Sequence, residues 1–494
     1  MPPGPVVIGV DSSTQSTKAL FVDADTGHTL AVGRAPHRVE GTAGARESDP
    51  DQWWRALGEA VAAGLKESGV PASAVVGIAV AGQQHGLVVL DRAGRPLRPA
   101  LLWNDTRSAP QAAALTEALG GPSAWTVRTG SVPVAAVTAA KWRWLYENEP
   151  ATAAAAAGVR LPHDFLTERL AGVAVTDPGD ASGTGWYATA TGTYDPELLQ
   201  LIGLDSELLP QVAPGGAVRA GSLTATAAEA LGLPAQIAVA AGTGDNMAAA
   251  VGLGLGGSGL LDHPVLSLGT SATVFAATRT RPVSPALSGF AATDGTFLPL
   301  ACTLNCTLAV DKVAALLGLD REDAAPGGEA VFLPYLDGER TPDLPTAAGL
   351  LTGLRHATSG RQLLGAAYEG AVFTALRALD DVLRACGLDP SAPGVADRPL
   401  RLIGGGARGR TWVETARRLS GRPVIVPRVT EPVALGAAAL ALAAATGGDA
   451  VGAAAQWGAG SGRALAPVAR DTQTWSRIAS VLDHAAPGLL GGGR

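Results

Sequence analysis

The chain opens with an apolar run that is followed directly by hydroxyl-rich residues. Residues 6–10 are continuously apolar, which is the pattern of a buried strand. Residues 11–16 are polar turn formers, and residues 18–23 have the composition of a second strand. The pattern therefore predicts a hairpin whose tip carries several hydroxyl groups.

A similar hairpin is predicted in the second half of the chain. Residues 265–268 and 272–276 are strand-like, and Gly269, Thr270 and Ser271 lie between them. Two hairpins with small, hydroxyl-bearing tips, one in each half, predict two structurally related domains.

A glycine-rich stretch marks the predicted boundary between these domains. It follows the turn at 243–245 and contains Gly252, Gly254, Gly256, Gly257 and Gly259. We predict an N-terminal domain over 1–247 and a C-terminal domain over 248–484. Strand patterns such as 75–81 alternate with helical patterns such as 51–68 and 362–384, which indicates an α/β architecture.

Composition limits the class of protein and its partners. The chain has 494 residues, of which 47% are hydrophobic, and its net charge of −7 argues against nucleic-acid binding. Three cysteines do not form a secreted disulfide framework. We recognise neither a secretory signal nor the ~20 apolar residues that a membrane span needs. The predictions are a cytoplasmic location and no membrane partner, with a homodimer as the default assembly.

Asp11 is the first candidate for chemistry, because it ends the first apolar run at the start of the hydroxyl-rich tip. A carboxylate there can hold Mg²⁺, which prefers oxygen ligands. The hydroxyls of Ser13 and Thr14 can surround phosphate oxygens, and Lys18 can add positive charge. The alternative is an ordinary Asp-Ser turn of a hairpin, and this segment by itself leaves both open.

Asp245 is the second candidate. It follows the strand-like residues 238–242 and precedes a helical pattern, so it would face a cleft at the predicted boundary. A carboxylate there could accept the proton of an attacking hydroxyl during phosphoryl transfer. The alternative is an N-cap aspartate, which this segment alone favours.

Two glycine-containing loops are candidates for ATP binding. The 269–271 tip can approach phosphate closely, although a plain turn has the same composition. Gly405, Gly406 and Ala407 follow a strand and precede a predicted helix at 411–420, where adenosine could lie against the backbone. The pattern is neither a dinucleotide fingerprint nor a P-loop.

Polar groups at two further strand exits suit a polyhydroxylated ligand. Gln84 and His85 follow one strand, and Trp103, Asn104 and Asp105 follow the next. Amide, imidazole and carboxylate groups can pair with hydroxyls, and the indole offers a flat apolar face. The alternative for the histidine is a hydrogen-bonded structural role.

The ordered set of motifs resembles the FGGY carbohydrate kinases, from about residue 6 to residue 445. The motifs are G-Q-x-H-G at 82–86, W-N-D-x-R at 103–107, G-D-N at 244–246, L-G-T-S at 268–271 and G-G-G-A-R at 404–408. Each motif is weak by itself, but their order along the chain is specific.

The resemblance implies two ribonuclease-H-like domains of the actin-like ATPase type, with ATP, Mg²⁺ and a sugar meeting between them. Asp245 would be the catalytic base and Asp11 the metal-associated acid, while Gln84, His85 and Asn246 would contact the sugar. The branch that it resembles most phosphorylates D-xylulose. Gln84 stands where many relatives carry Met.

Three alternatives stay open at this point. The first is another acceptor of the same family, such as ribulose, gluconate, glycerol or a deoxy sugar. The second is an actin-like clamp that binds ATP without transferring phosphate to a sugar. The third is a sugar-sensing pseudokinase.

Overall fold

The computed structural model describes residues 4–256, 260–344 and 346–485. Gly257 and Gly259 of the predicted boundary stretch lie outside these ranges. Within the described residues, the chain forms two large sheets with helices packed around them.

The N-terminal half contains fifteen strands and ten helices in the described residues. The strands are β1 Val6–Ser12, β2 Ser16–Asp23, β3 Thr29–Pro36, β4 Glu47–Ser48, β5 Val75–Gly82, β6 Val88–Leu90, β7 Ala100–Leu101, β8 Gly158–Arg160, β9 Val175–Thr176, β10 Tyr187–Ala188, β11 Thr193–Tyr194, β12 Gln211–Val212, β13 Arg219–Ser222, β14 Ala238–Ala240 and β15 Thr243–Gly244. The helices are α1 Pro50–Ser68, α2 Ala109–Ala118, α3 Pro122–Thr129, α4 Thr138–Asn148, α5 Pro150–Ala155, α6 Pro162–Ala171, α7 Pro178–Ala181, α8 Pro196–Ile202, α9 Ala225–Leu231 and α10 Asp245–Gly252.

The C-terminal half contains nine strands and six helices in the ranges that the structure describes. The strands are β16 Val265–Leu268, β17 Ala272–Phe275, β18 Ser288–Ala291, β19 Phe297–Thr303, β20 Val331–Leu333, β21 Leu350–Thr352, β22 Leu400–Ile403, β23 Val424–Pro427 and β24 Gly462–Leu465. The helices are α11 Thr307–Leu317, α12 Gly360–Ala385, α13 Arg410–Ser420, α14 Pro432–Thr446, α15 Ala450–Gln456 and α16 Thr472–Ala485.

The two large sheets share one topology. The first has the order β3-β2-β1-β5-β14-β13, and the second has β19-β17-β16-β22-β23-β24 with β18 added at its edge. In both, three antiparallel strands are followed by two parallel strands and a final antiparallel one. The prediction of an α/β protein with two related domains is therefore confirmed.

Local sequence signals account for several of these elements. Asp49 caps α1 through a bond from the Asp51 amide, and Pro50 occupies the first turn. Both predicted hairpins form, as β1–β2 and β16–β17. The helix predicted from residue 411 begins one residue earlier, after a short 3-10 turn at Gly405–Arg408.

Helix α14 belongs to the C-terminal half of the sequence but packs on the N-terminal sheet. Its apolar residues share a buried cluster with strands β1, β2, β5 and β14. The approach is close, since a Cβ atom on Gly9 would lie 1.9 Å from the carbonyl oxygen of Ala434. The division at 247/248 stays a prediction, and its predicted point falls inside α10.

No single helix in the described ranges is long and apolar enough to cross a membrane. Helices α14 and α15 meet that criterion only as a bent pair, by length and composition.

Candidate functional site

Asp11 and Asp245 approach each other because their strands flank the same central strand. In the parallel pairing of β1 with β5, Asp11 lies opposite Ala81. In the parallel pairing of β15 with β5, Gly244 lies opposite Gly82, and Asp245 follows at once. The carboxyl ends of parallel strands meet at one edge of a sheet, so both acids lie at the same edge.

Asp245 is held by its neighbour Asn246. Its Oδ1 accepts bonds from the Asn246 backbone N–H at 2.8 Å and from Asn246 Nδ2 at 3.1 Å. Desolvation, followed by the charges of Asp11 and Asp180, raises the pKa of Asp245 to about 7. The capping position of α10 is occupied by Gly244, so the N-cap alternative for Asp245 is wrong.

Asp11 is almost fully buried and lies in a polar corner. It accepts bonds from Ser13 Oγ at 2.5 Å and from Lys18 Nζ at 3.3 Å. Burial raises the pKa of Asp11, although Lys18 and Ser13 oppose that rise. Lys18 is also paired with Glu431 at 2.5 Å, so its charge is shared between two carboxylates.

The oxygen atoms of this corner suit Mg²⁺, which usually takes one or two carboxylates, several waters and phosphate oxygens. Asp11 supplies a buried carboxylate beside the hydroxyl of Ser13. In the part of the chain that the structure describes, no group of three acidic, histidine or cysteine side chains forms a metal site of its own. One buried carboxylate beside a hydroxyl suits an ion whose other ligands are waters and phosphate oxygens.

Gln84 and His85 lie at the carboxyl end of β5. Gln84 Oε1 accepts a bond from Asn246 Nδ2 at 2.8 Å, which joins this pair to the residues around Asp245. His85 has a left-handed backbone, with φ at 65°, and its Nδ1 lies 2.8 Å from the carbonyl oxygen of Gly183. Burial lowers the pKa of His85 to about 3, so the neutral ring donates from Nδ1 and Nε2 can accept.

A small hollow opens beside His85. The N-terminal half lines it with residues 131–134, 137, 182, 183 and 185, and the C-terminal half with Ser288, Phe290 and Arg340. Both halves of the chain therefore contribute to one hollow next to a predicted sugar-contact residue.

Trp103 lies beside the first hairpin tip. Its side chain is 45% exposed, and its Nε1 donates to Thr14 Oγ1 at 3.0 Å. Asp105 is buried and accepts bonds from Arg107 and from the Arg46 backbone. Its oxygens are thus engaged in holding the loop, and its predicted sugar contact has no support from this geometry.

The loop also places Asn104 between Trp103 and Asp105, partly buried. Its Oδ1 is buried and has no hydrogen-bond partner within the described residues. A polar ligand could satisfy this atom, so the predicted sugar contact of Asn104 stays a prediction.

The two predicted ATP loops of the C-terminal half lie side by side. A Cβ atom on Gly404 would lie 2.7 Å from the Leu268 carbonyl oxygen, and one on Gly406 would lie 2.7 Å from Leu268 Cβ. The 269–271 tip and the 405–407 loop therefore form one glycine-lined surface. No hydrogen bond in the described ranges joins it to the first hairpin tip, which lies on the other sheet.

Sequence reasoning gave no role to several residues that the structure places here. Lys141 is fully buried, its Nζ donates to the His85 carbonyl oxygen at 3.2 Å, and burial lowers its pKa to about 7. A charged lysine between alanine and tryptophan in a helix could have indicated that Lys141 is buried and has a role. Glu431 and Arg340 carry no comparable signal, because only the fold brings them to Lys18 and His85.

Two sheets of one topology, a pair of convergent carboxylates and two hydroxyl-tipped hairpins define a two-domain kinase of the actin-like class. The model for the FGGY family of carbohydrate kinases, N-terminal domain, matches residues 6–252, and that for the C-terminal domain matches residues 265–445. The chain belongs to the FGGY family of carbohydrate kinases. Membership implies ATP as a substrate.

Individual relatives agree with this assignment. A xylulose kinase of Streptomyces coelicolor is 57% identical over 98% of this chain and 97% of its own length. The crystal structure of a xyloylose kinase from Brucella ovis is 30% identical, with a TM-score of 0.86 over 98% of both chains. The xylulose kinase of Bifidobacterium adolescentis is 31% identical, with a TM-score of 0.81 over 97% of this chain and 99% of that one.

Proposed function

We propose that the protein transfers the γ-phosphoryl group of ATP to the terminal hydroxyl of D-xylulose, giving ADP and D-xylulose 5-phosphate. The proposal depends on the placement of Asp245. Its carboxylate accepts a bond from Asn246, has a raised pKa and lies at the same sheet edge as Asp11. The similarity to curated xylulose kinases supports the choice of acceptor.

Asp245 acts as the general base in this proposal. Its Oδ1 is engaged by Asn246, which leaves Oδ2 to take the proton of the attacking hydroxyl. A bond forms between that oxygen and the γ-phosphorus as the bond to the ADP oxygen breaks. A base whose pKa lies near neutral pH is ionised in a large fraction of the molecules and still binds the transferred proton well.

Asp11 would hold the Mg²⁺ ion that accompanies ATP, and the ion would supply positive charge to the phosphates. Ser13 and Thr14 would donate to phosphate oxygens, and Lys18 would keep the Asp11 carboxylate in position. From the opposite sheet, the 269–271 tip would donate to the phosphates and the 405–407 loop would support adenosine.

The acceptor would lie against Gln84, His85 and Asn246, with Trp103 at the side of the phosphate hairpin. The neutral ring of His85 can accept a sugar hydroxyl at Nε2, while its backbone is fixed by Lys141. Closure of the two domains would exclude water, which protects ATP from hydrolysis.

A cytoplasmic location and a homodimer complete the proposal. The location follows from the metabolic substrates that are proposed here. The dimer follows from the prevalence of two-fold assemblies among soluble oligomers.

A coupled assay of ADP release across a panel of ketoses and polyols tests the function. We expect D-xylulose to give the highest kcat/KM, with phosphorylated sugar as product. A higher kcat/KM for ribulose, gluconate or glycerol would make that compound the acceptor, and the assignment as a kinase would stand. ATP hydrolysis that does not depend on any sugar, accompanied by polymerisation, would favour the actin-like clamp.

A further inference from the structure

A fully buried polar cluster lies next to Gln84 and takes no part in the chemistry described so far. His163 and Asp164 belong to the first turn of α6, and Asp180 belongs to α7. His163 Nδ1 lies 2.6 Å from Asp180 Oδ2, and His163 Nε2 lies 3.2 Å from Asp164 Oδ1. All three side chains are excluded from solvent.

The second oxygen of Asp180 faces Gln84. Asp180 Oδ1 and Gln84 Nε2 are both buried, and neither atom has a hydrogen-bond partner elsewhere in the described residues or makes one of standard geometry with the other. A Cβ atom on Gly244 would lie 2.9 Å from Asp180 Oδ1 and 2.7 Å from Gln84 Cγ. The carboxylate and the amide thus flank the same residue, which immediately precedes Asp245.

The other end of the Gln84 amide points towards the base. Gln84 Oε1 accepts from Asn246 Nδ2, and the same Nδ2 donates to Asp245 Oδ1. A flipped amide would set its own N–H groups against those of Asn246. Asp180 Oδ1 can only accept when the side chain is ionised and also when its proton lies on Oδ2, towards His163, so Asp180 selects the orientation in which Nε2 faces inward and Oε1 faces Asn246.

We propose that Asp180 is a positioning residue for phosphoryl transfer, which acts through Gln84 and Asn246 to orient Asp245. The inference rests on the proposed role of Asp245 as the base. It accounts for an acidic side chain at a place where burial makes ionisation costly. Desolvation raises the pKa of Asp180 to about 8, and the neighbouring Gln84 amide opposes that rise. When Asp180 is ionised, its charge contributes to the raised pKa of Asp245.

A double-mutant cycle tests the coupling. Asp180→Asn keeps the shape of the side chain but can present an N–H group to Gln84. We expect it to lower kcat about tenfold, while the KM for ATP stays within about twofold of the wild type. In a Gln84→Leu background the same change should have no further effect on kcat. An equal loss in both backgrounds, or no loss in the native background, would overturn the proposal.

Asp177→Asn is the matched control, because Asp177 is equally buried and caps α7. It accepts from Thr243 Oγ1 at 2.8 Å and is not among the charges that raise the pKa of Asp245. We expect this variant to lower Tm and to keep kcat within about twofold of the wild type.

A hydrogen-exchange measurement on the wild-type protein needs neither the Asp180→Asn variant nor a sugar. In protein labelled with ¹⁵N-glutamine, the Gln84 side-chain amide is identified by its loss in Gln84→Leu. We expect it to exchange hydrogen with solvent at least ~100-fold more slowly than the exposed Gln200 amide. Equal exchange rates would overturn the Asp180–Gln84 contact, whereas a failed sugar panel would overturn only the proposed function.

Discussion

Asp11 and Asp245 occupy neighbouring positions across one strand: Asp11 pairs with Ala81, and Gly244, just before Asp245, pairs with Gly82. Two acids at this spacing disfavour each other's ionised form. The charge of Asp11 is accordingly among the causes that raise the pKa of Asp245. A bound cation would relieve that repulsion, which links the binding of the metal to the readiness of the base.

Removal of the Asp245 carboxylate should affect turnover much more than nucleotide binding. We expect Asp245→Ala to lower kcat by at least ~100-fold, with ATP affinity nearly unchanged, because a general base acts only in the chemical step. Steady-state kinetics and nucleotide titration check this. Asp205→Ala, at an exposed cap, is the control, and near-normal turnover in Asp245→Ala would refute the assignment.

The same carboxylate should reduce stability at neutral and higher pH. The pKa of Asp245 is raised from 3.8 to about 7, so the native state is penalised once the buried group ionises, and the penalty grows as pH rises from about 4 to 7. We expect Asp245→Asn to raise Tm by about 2 °C at pH 8. The gain should shrink at pH 5.5 in thermal scans, and a gain independent of pH would contradict this explanation.

Trp103 should affect the KM of both substrates. Its indole N–H acts on ATP through the bond to Thr14, and its aromatic face acts on the sugar. Trp103→Phe removes the bond to Thr14 but keeps an aromatic face, so we expect the KM for ATP to rise about threefold and that for D-xylulose to stay constant. Thr14→Val removes the same bond and should raise the KM for ATP as much as Trp103→Phe does. Trp103→Ala should raise both KM values, and an unchanged KM for xylulose would remove Trp103 from the sugar site.

The contact of α14 with β1 should tolerate no added methyl group. A Cβ atom on Gly9 meets backbone of α14 at 1.9 Å, and we expect Gly9→Ala to lower the free energy of unfolding by about 3 kcal/mol. Gly58, within α1, is the control: its nearest neighbours would lie 4.0 Å from a Cβ atom. Gly58→Ala should stabilise by up to about 1 kcal/mol, and denaturant unfolding measures both.

Several features could be predicted because their causes are local. The continuous apolar run of β1, the turn after it and the cap of α1 by Asp49 each depend on a few adjacent residues. The hairpins β1–β2 and β16–β17 followed from the same signals. The start of α13 was misplaced by one residue, since the sequence does not separate a 3-10 turn from a helix.

Other parts of the site could not be predicted, because their causes lie far apart in the chain. Nothing near Lys18 indicates Glu431 as its partner, and nothing near Gln84 indicates Asp180. The engagement of Asp105 by Arg107 is local, but whether it excludes a sugar depends on the packing of the loop.

By itself the sequence determined the kinds of groups available, their order along the chain, the two hairpins and the likeness to a kinase family. Periodicity, turn chemistry and motif order are properties of neighbouring residues. Only the tertiary structure decided that α14 covers the N-terminal sheet, that Asp11 and Asp245 meet across β5, and that Asp245 ionises near neutral pH. Strand register and desolvation depend on residues that only folding brings together.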